Sequence, residues 1–105
     1  MPKRRGVRAY IMDGSFALAD VQAERRRQDD KWGPQNHDQM IWLGILAEEF
    51  GEAAKEINEL HFRRCKAKDC DGGCLNGTTS KVRSELIQVA AVAVAMIESL
   101  DRNGR

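Results

Sequence analysis

The sequence predicts an all-α fold, a bundle of about three main helices per chain. Apolar residues recur every three or four positions from 43 to 60, the spacing of one helix face. A second stretch, Leu86 to Ile97, is apolar nearly all round, which a helix wet on one side would not carry. Between the helical stretches lie breakers: Trp32-Gly33-Pro34, and a segment at 61–79 that holds Asp71-Gly72-Gly73 and Asn76-Gly77. With 105 residues there is room for one domain, 1–105, carrying a basic arm at 1–14 and a cysteine-containing loop insertion at 61–79.

The first helix is expected from Ser15 to about Lys31. Phe16, Leu18, Ala19, Val21 and Ala23 give it an apolar half, while its second half, from Glu24-Arg25-Arg26-Arg27 onward, is nearly all polar and should lie outside. Pro34 disfavours helical geometry in the residue before it, so the helix must end near Trp32-Gly33. The second helix follows a cap at Asn36 or Asp38 and runs to about Leu60. Leu43, Leu46, Phe50, Ala53, Ala54, Ile57 and Leu60 are expected to form one stripe. The third is capped by Thr79 or Ser80 and runs to about Asp101, with Gly104 as its stop. Two short companions should not cover its apolar stretch on every face, and its many alanines permit close approach, so association into a larger helical bundle through this helix is expected. The six aromatic residues point the same way, being a thin supply for a self-contained core.

Seventeen basic against sixteen acidic side chains leave a formal charge of +1, so no global field draws the chain to nucleic acid or anionic lipid. No apolar run approaches the ~20 residues of a membrane span. The basic start, Met1 to Gly6, is followed by no apolar region of a secretory signal. Three cysteines confined to 65–74 disfavour a disulfide-stapled secreted fold, and a cytoplasmic protein is expected. Lys3, Arg4, Arg5 and Arg8 read as a solvated tail; nucleic-acid binding through them and Arg25-Arg26-Arg27 is the least favoured function.

The chemistry is concentrated on the second helix. Glu48-Glu49-Phe50-Gly51-Glu52 brings Glu49 and Glu52 to neighbouring spots, with Glu56 one turn further on. Glu49 and Glu56 fall on the shoulder of the apolar stripe. Like charges this close repel unless a cation sits among them, and Mg2+ is a cation held by carboxylates, waters and phosphates. Such a pattern is often no more than a solvated acidic face. Two features argue otherwise. Gly51 in mid-helix costs ~1 kcal/mol against Ala and implies that something approaches the backbone. Glu85 enters the most apolar stretch of the chain, where an uncompensated carboxylate is expensive. Antiparallel packing would let Glu85 face Glu49 and Glu52.

These residues carry a resemblance. Gln28-Asp29-Asp30-Lys31-Trp32-Gly33, then Trp42 through Glu52, then Ser84-Glu85-Leu86-Ile87-Gln88 through Val92, resemble the MazG-like all-alpha nucleoside triphosphate pyrophosphohydrolases over roughly residues 20–100, apart from the cysteine loop. That family is marked by E-x-x-E on one helix and E-x-x-D on a later one. The resemblance implies a four-helix core completed by dimers or tetramers, bound Mg2+, and hydrolysis of NTPs or dNTPs to the monophosphate and pyrophosphate. It assigns Glu49 and Glu52 to the first motif and Glu85 to the second, with Glu48 an adjacent acid. Gln88 stands where the family has Asp, offering a carbonyl oxygen but no charge, so weaker metal binding, a single-metal site or an inactive relative is expected. The metal would screen the phosphates and activate a water for attack on phosphorus, with Glu48 or Glu52 as base.

Trp32, expected in the loop, is either a base-stacking platform or a lid on the core; Trp42 reads as core. Lys31, Lys55, Lys81 and Arg83 are candidate phosphate contacts, the last two near a helix N-terminus, though each is also ordinary surface charge. His61, Cys65, Cys70 and Cys74 offer four zinc donors, yet the spacing lacks a C-x2-C knuckle, so Zn2+ is a lesser expectation than free thiols or an incidental disulfide. His37 is expected in the capping region. The readings left open are a Mg2+-dependent nucleotide pyrophosphohydrolase and a catalytically weak or inactive helical interaction protein of the same fold.

Overall fold

A computed structural model of the protein describes residues 14–62 and 79–104. Three helices follow in the expected order: α1 (Ser15–Trp32), α2 (Gln39–Phe62) and α3 (Thr79–Asn103). There is no strand among the described residues, so the all-α expectation holds. The arm as far as residue 13, and Cys65, Cys70 and Cys74, lie outside the described residues. Both α1 and α2 pack on α3 and touch each other far less, which makes α3 the central element.

Local chemistry fixes the helix ends. Gly33 adopts φ +73°, a backbone that favours glycine, and its N–H closes on the Asp29 carbonyl at 2.7 Å. Trp32 is therefore the last residue of α1 rather than a loop residue. Asp38, not Asn36, caps α2: its carboxylate accepts from the Met40 and Ile41 N–H groups at 2.9 and 3.0 Å. Asn36 instead accepts from Arg102 and Asn103 at 2.8 and 3.0 Å, tying the start of α2 to the end of α3. With Lys81 reaching Glu56 near the opposite ends, α2 and α3 run antiparallel, the arrangement that lets Glu85 face Glu49 and Glu52.

Two expectations about faces are corrected. The polar half of α1 is not simply outside, because Arg25 is buried at 7% exposure and donates to Glu98 on α3 at 2.6 and 3.1 Å, to Asp29 at 2.8 Å and to Gln28 at 3.0 Å. An arginine can be buried where its donors are met this fully. On α2 the single apolar stripe splits. Trp42 and Ala53 are buried and Leu46 packs on the core, whereas Leu43, Phe50 and Ile57 remain 53%, 66% and 45% exposed. Turning Trp42 inward rotates those three residues about one position away from α3, because successive helical residues lie ~100° apart.

The core joins Trp42 to Val92 and Ala95, with Ile45, Leu46 and Met96 packed around them. The two companions bury Ala91, Val92, Ala95 and Ser99 of α3, and the larger side chains left open on it are Leu86 and Ile97. The most exposed apolar residues lie on α1 and α2 instead, Leu18, Met40, Phe50 and Phe62. No helix among the described residues is long and apolar enough to cross a membrane.

Candidate metal centre

The same rotation of α2 that turns Leu43 and Phe50 outward carries Glu49 and Glu56 towards α3, where both are partly buried. Glu85 comes from the first turns of α3, on the antiparallel neighbour. Carboxylate oxygens of Glu49, Glu52 and Glu85 lie within 4.8 Å of one another, the convergence expected from the sequence. Glu52 is exposed, and the other two are half-buried.

Three carboxylates at this separation repel. Burial pushes the Glu49 carboxyl above the usual carboxylate range, and the fields of Glu52, Glu85, Glu48 and Glu24 push it further. The donor set suits a hard divalent ion. Ligands held at ~2.1 Å from one octahedral ion lie ~3.0 Å apart when adjacent and ~4.2 Å when opposite, so these oxygens would have to draw together onto a Mg2+. Further along α2, Glu56 keeps one oxygen shielded from solvent with no hydrogen-bond partner, and the other lies 3.8 Å from Lys81. Glu48 is exposed and stands outside the convergent group, acting on it only through its charge.

Beside the acids, α1, α2 and α3 enclose a cleft of about 200 Å³ whose walls include Trp32, Trp42, Arg27, Gln28, Glu49 and Gln88. Trp32 thus faces the acidic site from the end of α1, with the Lys31 ammonium 4.7 Å from its ring centroid. Trp42 is only 2% exposed, and its indole Nε1–H has no acceptor. His37 meets the Trp42 ring edge-on with centroids 4.9 Å apart, in the segment leading to the α2 cap.

Gln88 lies between this cleft and a second groove of about 350 Å³ that Glu24, Arg27 and Arg83 also line. It shares that groove with Glu24, an acid that the sequence offered no reason to single out. Arg27 grips Glu24 through both oxygens, at 2.6 and 2.9 Å, and Gln28 donates to it at 3.1 Å. The Arg27 bond first, with that from Gln28, holds Glu24 below the usual carboxylate range against the opposing effect of burial.

The remaining candidates are scattered. Arg83 pairs with Asp20 at 2.7 Å, Lys81 faces Glu56, and Lys55 lies on the exposed side of α2. His61 is in the last turn of α2, its ring 4.5 Å from that of Phe62. The close approach inferred at Gly51 is not made within the chain: a Cβ there would meet nothing within 4 Å. The Arg25-Arg26-Arg27 run is no open basic patch either, since Arg25 is buried and Arg27 is paired with Glu24. No protein-family profile, curated protein or solved structure matches the chain.

Proposed function

We propose that the chain is a Mg2+-dependent nucleotide pyrophosphohydrolase that cleaves nucleoside triphosphates, dNTPs foremost, to the monophosphate and pyrophosphate. The observation that carries this reading is the inward face of α2. Beside Trp42, Leu46 and Ala53 it sets Glu49 and Glu56 against α3, while Leu43, Phe50 and Ile57 are left exposed in the single chain. That choice opposes the hydrophobic effect and carboxylate repulsion alike, and a cation held by Glu49, Glu52 and Glu85 reverses the second of these.

Bound there, with Gln88 adding a neutral oxygen, Mg2+ would screen a polyphosphate and lower the pKa of an attacking water. The chain's own groups do the rest. Glu52, exposed at the rim, is the base to take the proton from that water. Trp32 offers its face to the nucleobase. Arg27 and Arg83, in the groove beyond Gln88, are placed to meet phosphate oxygens if these displace Glu24 and Asp20. The exposed apolar residues of α2 suit a second copy of the chain, giving a homodimer or homotetramer.

The test is pyrophosphate release from a panel of dNTPs with and without Mg2+, for the parent chain and for Glu49→Ala and Glu52→Ala. Loss of turnover by 100-fold or more in both variants is expected; unchanged turnover rejects the assigned site. One observation favours a second reading, an inactive interaction protein of the same fold: Gln88 leaves the site a charge short. Calorimetry with a non-hydrolysable dNTP separates the two, because the interaction protein should show no Mg2+-dependent nucleotide binding.

A further inference from the structure

The outer face of α2 carries residues that the metal chemistry leaves unused. Leu43, Phe50 and Ile57 are substantially exposed, and at ~100° per residue their spacing sets them along one line of the helix. Around the helix from that line come Ala47 and Ala54, then Gly44 and Gly51, then Glu48 and Lys55. Glu48 and Lys55 are both exposed, and no ion pair joins either of them to another of the described residues. Across the face the order is therefore large apolar, small, and charged.

Charge decides what fits there. In a parallel, in-register pair of α2 helices Glu48 would meet its own copy and Lys55 its own, which gives two repulsions. An antiparallel pair centred near Gly51 instead opposes residues that lie nearly equally far before and after it. Glu48 then faces the partner's Lys55, Leu43 the partner's Ile57 and Ala47 the partner's Ala54, while Phe50 meets its own copy. The same crossing gives Gly51 a purpose. Glycine in mid-helix weakens the helix, and within the chain a Cβ there would meet nothing within 4 Å, so its bareness is of use only to something outside the chain.

We propose that two copies of the chain pair through the outer faces of α2, antiparallel about a two-fold axis near Gly51, with Glu48 of each copy against Lys55 of the other. The occupant is a second copy because this face is complementary to itself in that one orientation, as a two-fold interface requires. The inference deepens the assembly named in the proposed function by fixing which residues meet, and it does not rest on the metal centre.

The experiment is sedimentation velocity of the full chain over a dilution series, with Glu48→Lys, Lys55→Glu, the double variant and Gly51→Leu, and thermal melts of each. Either single swap turns two attractions into two repulsions, so the dimer should weaken roughly tenfold at low salt, and the loss should fade at high salt. The double swap restores both pairs and should recover the affinity of the parent. In a parallel, in-register pair the single swaps only exchange one like-charged pair for another, so a parent dimer that they leave unchanged overturns the proposal. A double variant no tighter than the singles overturns it too. Leucine is the better helix former, so Gly51→Leu should keep or raise helix content and yet weaken the dimer tenfold or more. A Gly51→Leu dimer as tight as the parent overturns the crossing. A parent chain that stays monomeric at tens of micromolar gives the face to another occupant and overturns both this pairing and the proposed assembly. A parent that dimerises as described but releases no pyrophosphate from any dNTP supports the pairing and rejects the enzyme.

Discussion

Glu49 and Glu24 are two carboxylates of one neighbourhood pushed in opposite directions, one above and one below the usual range. Their effects on stability must differ in sign. A raised carboxyl contributes stability that is fully present below its unfolded value, ~4.3, and is lost as pH rises through the folded pKa. Without metal, Glu49→Gln should therefore raise Tm at pH 7.5, with the gain disappearing by pH 4. A lowered carboxyl contributes stability present above the unfolded value and lost as pH falls through the folded pKa, so Glu24→Gln should lower Tm at pH 7.5 and much less at pH 3. Melts across pH decide both, and a Glu49→Gln variant less stable at pH 7.5 refutes the repulsion. Adding Mg2+ should raise the Tm of the parent chain but not of Glu49→Gln, since a ligand stabilises only the state that binds it. The convergence of Glu49, Glu52 and Glu85 was legible in the sequence because helical spacing and antiparallel order place them without further information. Glu24 was not, because its part depends on which face α1 turns to α3, and its polar half gives no period to read.

That face is decided by one buried side chain. Arg25 satisfies Glu98, Asp29 and Gln28 together, and it is the only residue of α1 that is fully enclosed. Charge-assisted hydrogen bonds of this kind contribute about 1.5–3 kcal/mol, though half-exposed Glu98 keeps some solvation when they are lost. Arg25→Met should cost about 1–2 kcal/mol in urea denaturation, against within about 0.5 kcal/mol for exposed Arg26→Met. Equal midpoints for the two variants would show that α1 does not depend on this anchor. The ends of the elements were legible for a related reason: Gly33-Pro34 and Asp38 act through covalent geometry and one-turn hydrogen bonds, both visible in a short window of sequence. The rotation of α2 was not, since its stripe includes residues facing α3 and residues facing away, and periodicity cannot tell which apolar face meets which partner.

Leu43, Phe50 and Ile57 recur every seven residues on α2, with Ala47 and Ala54 between them, and all three are substantially exposed. Seven-residue spacing keeps side chains along one seam of a helix packed against another helix. Gly44 and Gly51 share that spacing, and a Cβ at either would meet nothing within 4 Å, so open room borders the seam over two turns. A second copy of the chain, laid on this seam, would bury side chains each worth about 1.5–3 kcal/mol when fully enclosed. Phe50→Glu should accordingly convert an oligomeric parent to monomer in sedimentation velocity at tens of micromolar, while Leu18→Glu, equally exposed but on α1, should leave assembly intact. A parent chain that sediments as a monomer refutes the seam. The consequence reaches the metal centre, because one rotation of α2 both bares Phe50 and turns Glu49 towards α3. Without a partner to cover the outer face, the gain from rolling Leu43 and Phe50 inward, set against the loss of the buried Trp42, would swing Glu49 out of the cleft. The monomeric Phe50→Glu variant removes part of that gain, so Phe50→Ala is the sharper probe: it weakens assembly and leaves Leu43 and Ile57 free to roll in. Its Mg2+-induced rise in Tm should shrink as the protein is diluted, whereas that of the parent should hold until the parent itself dissociates.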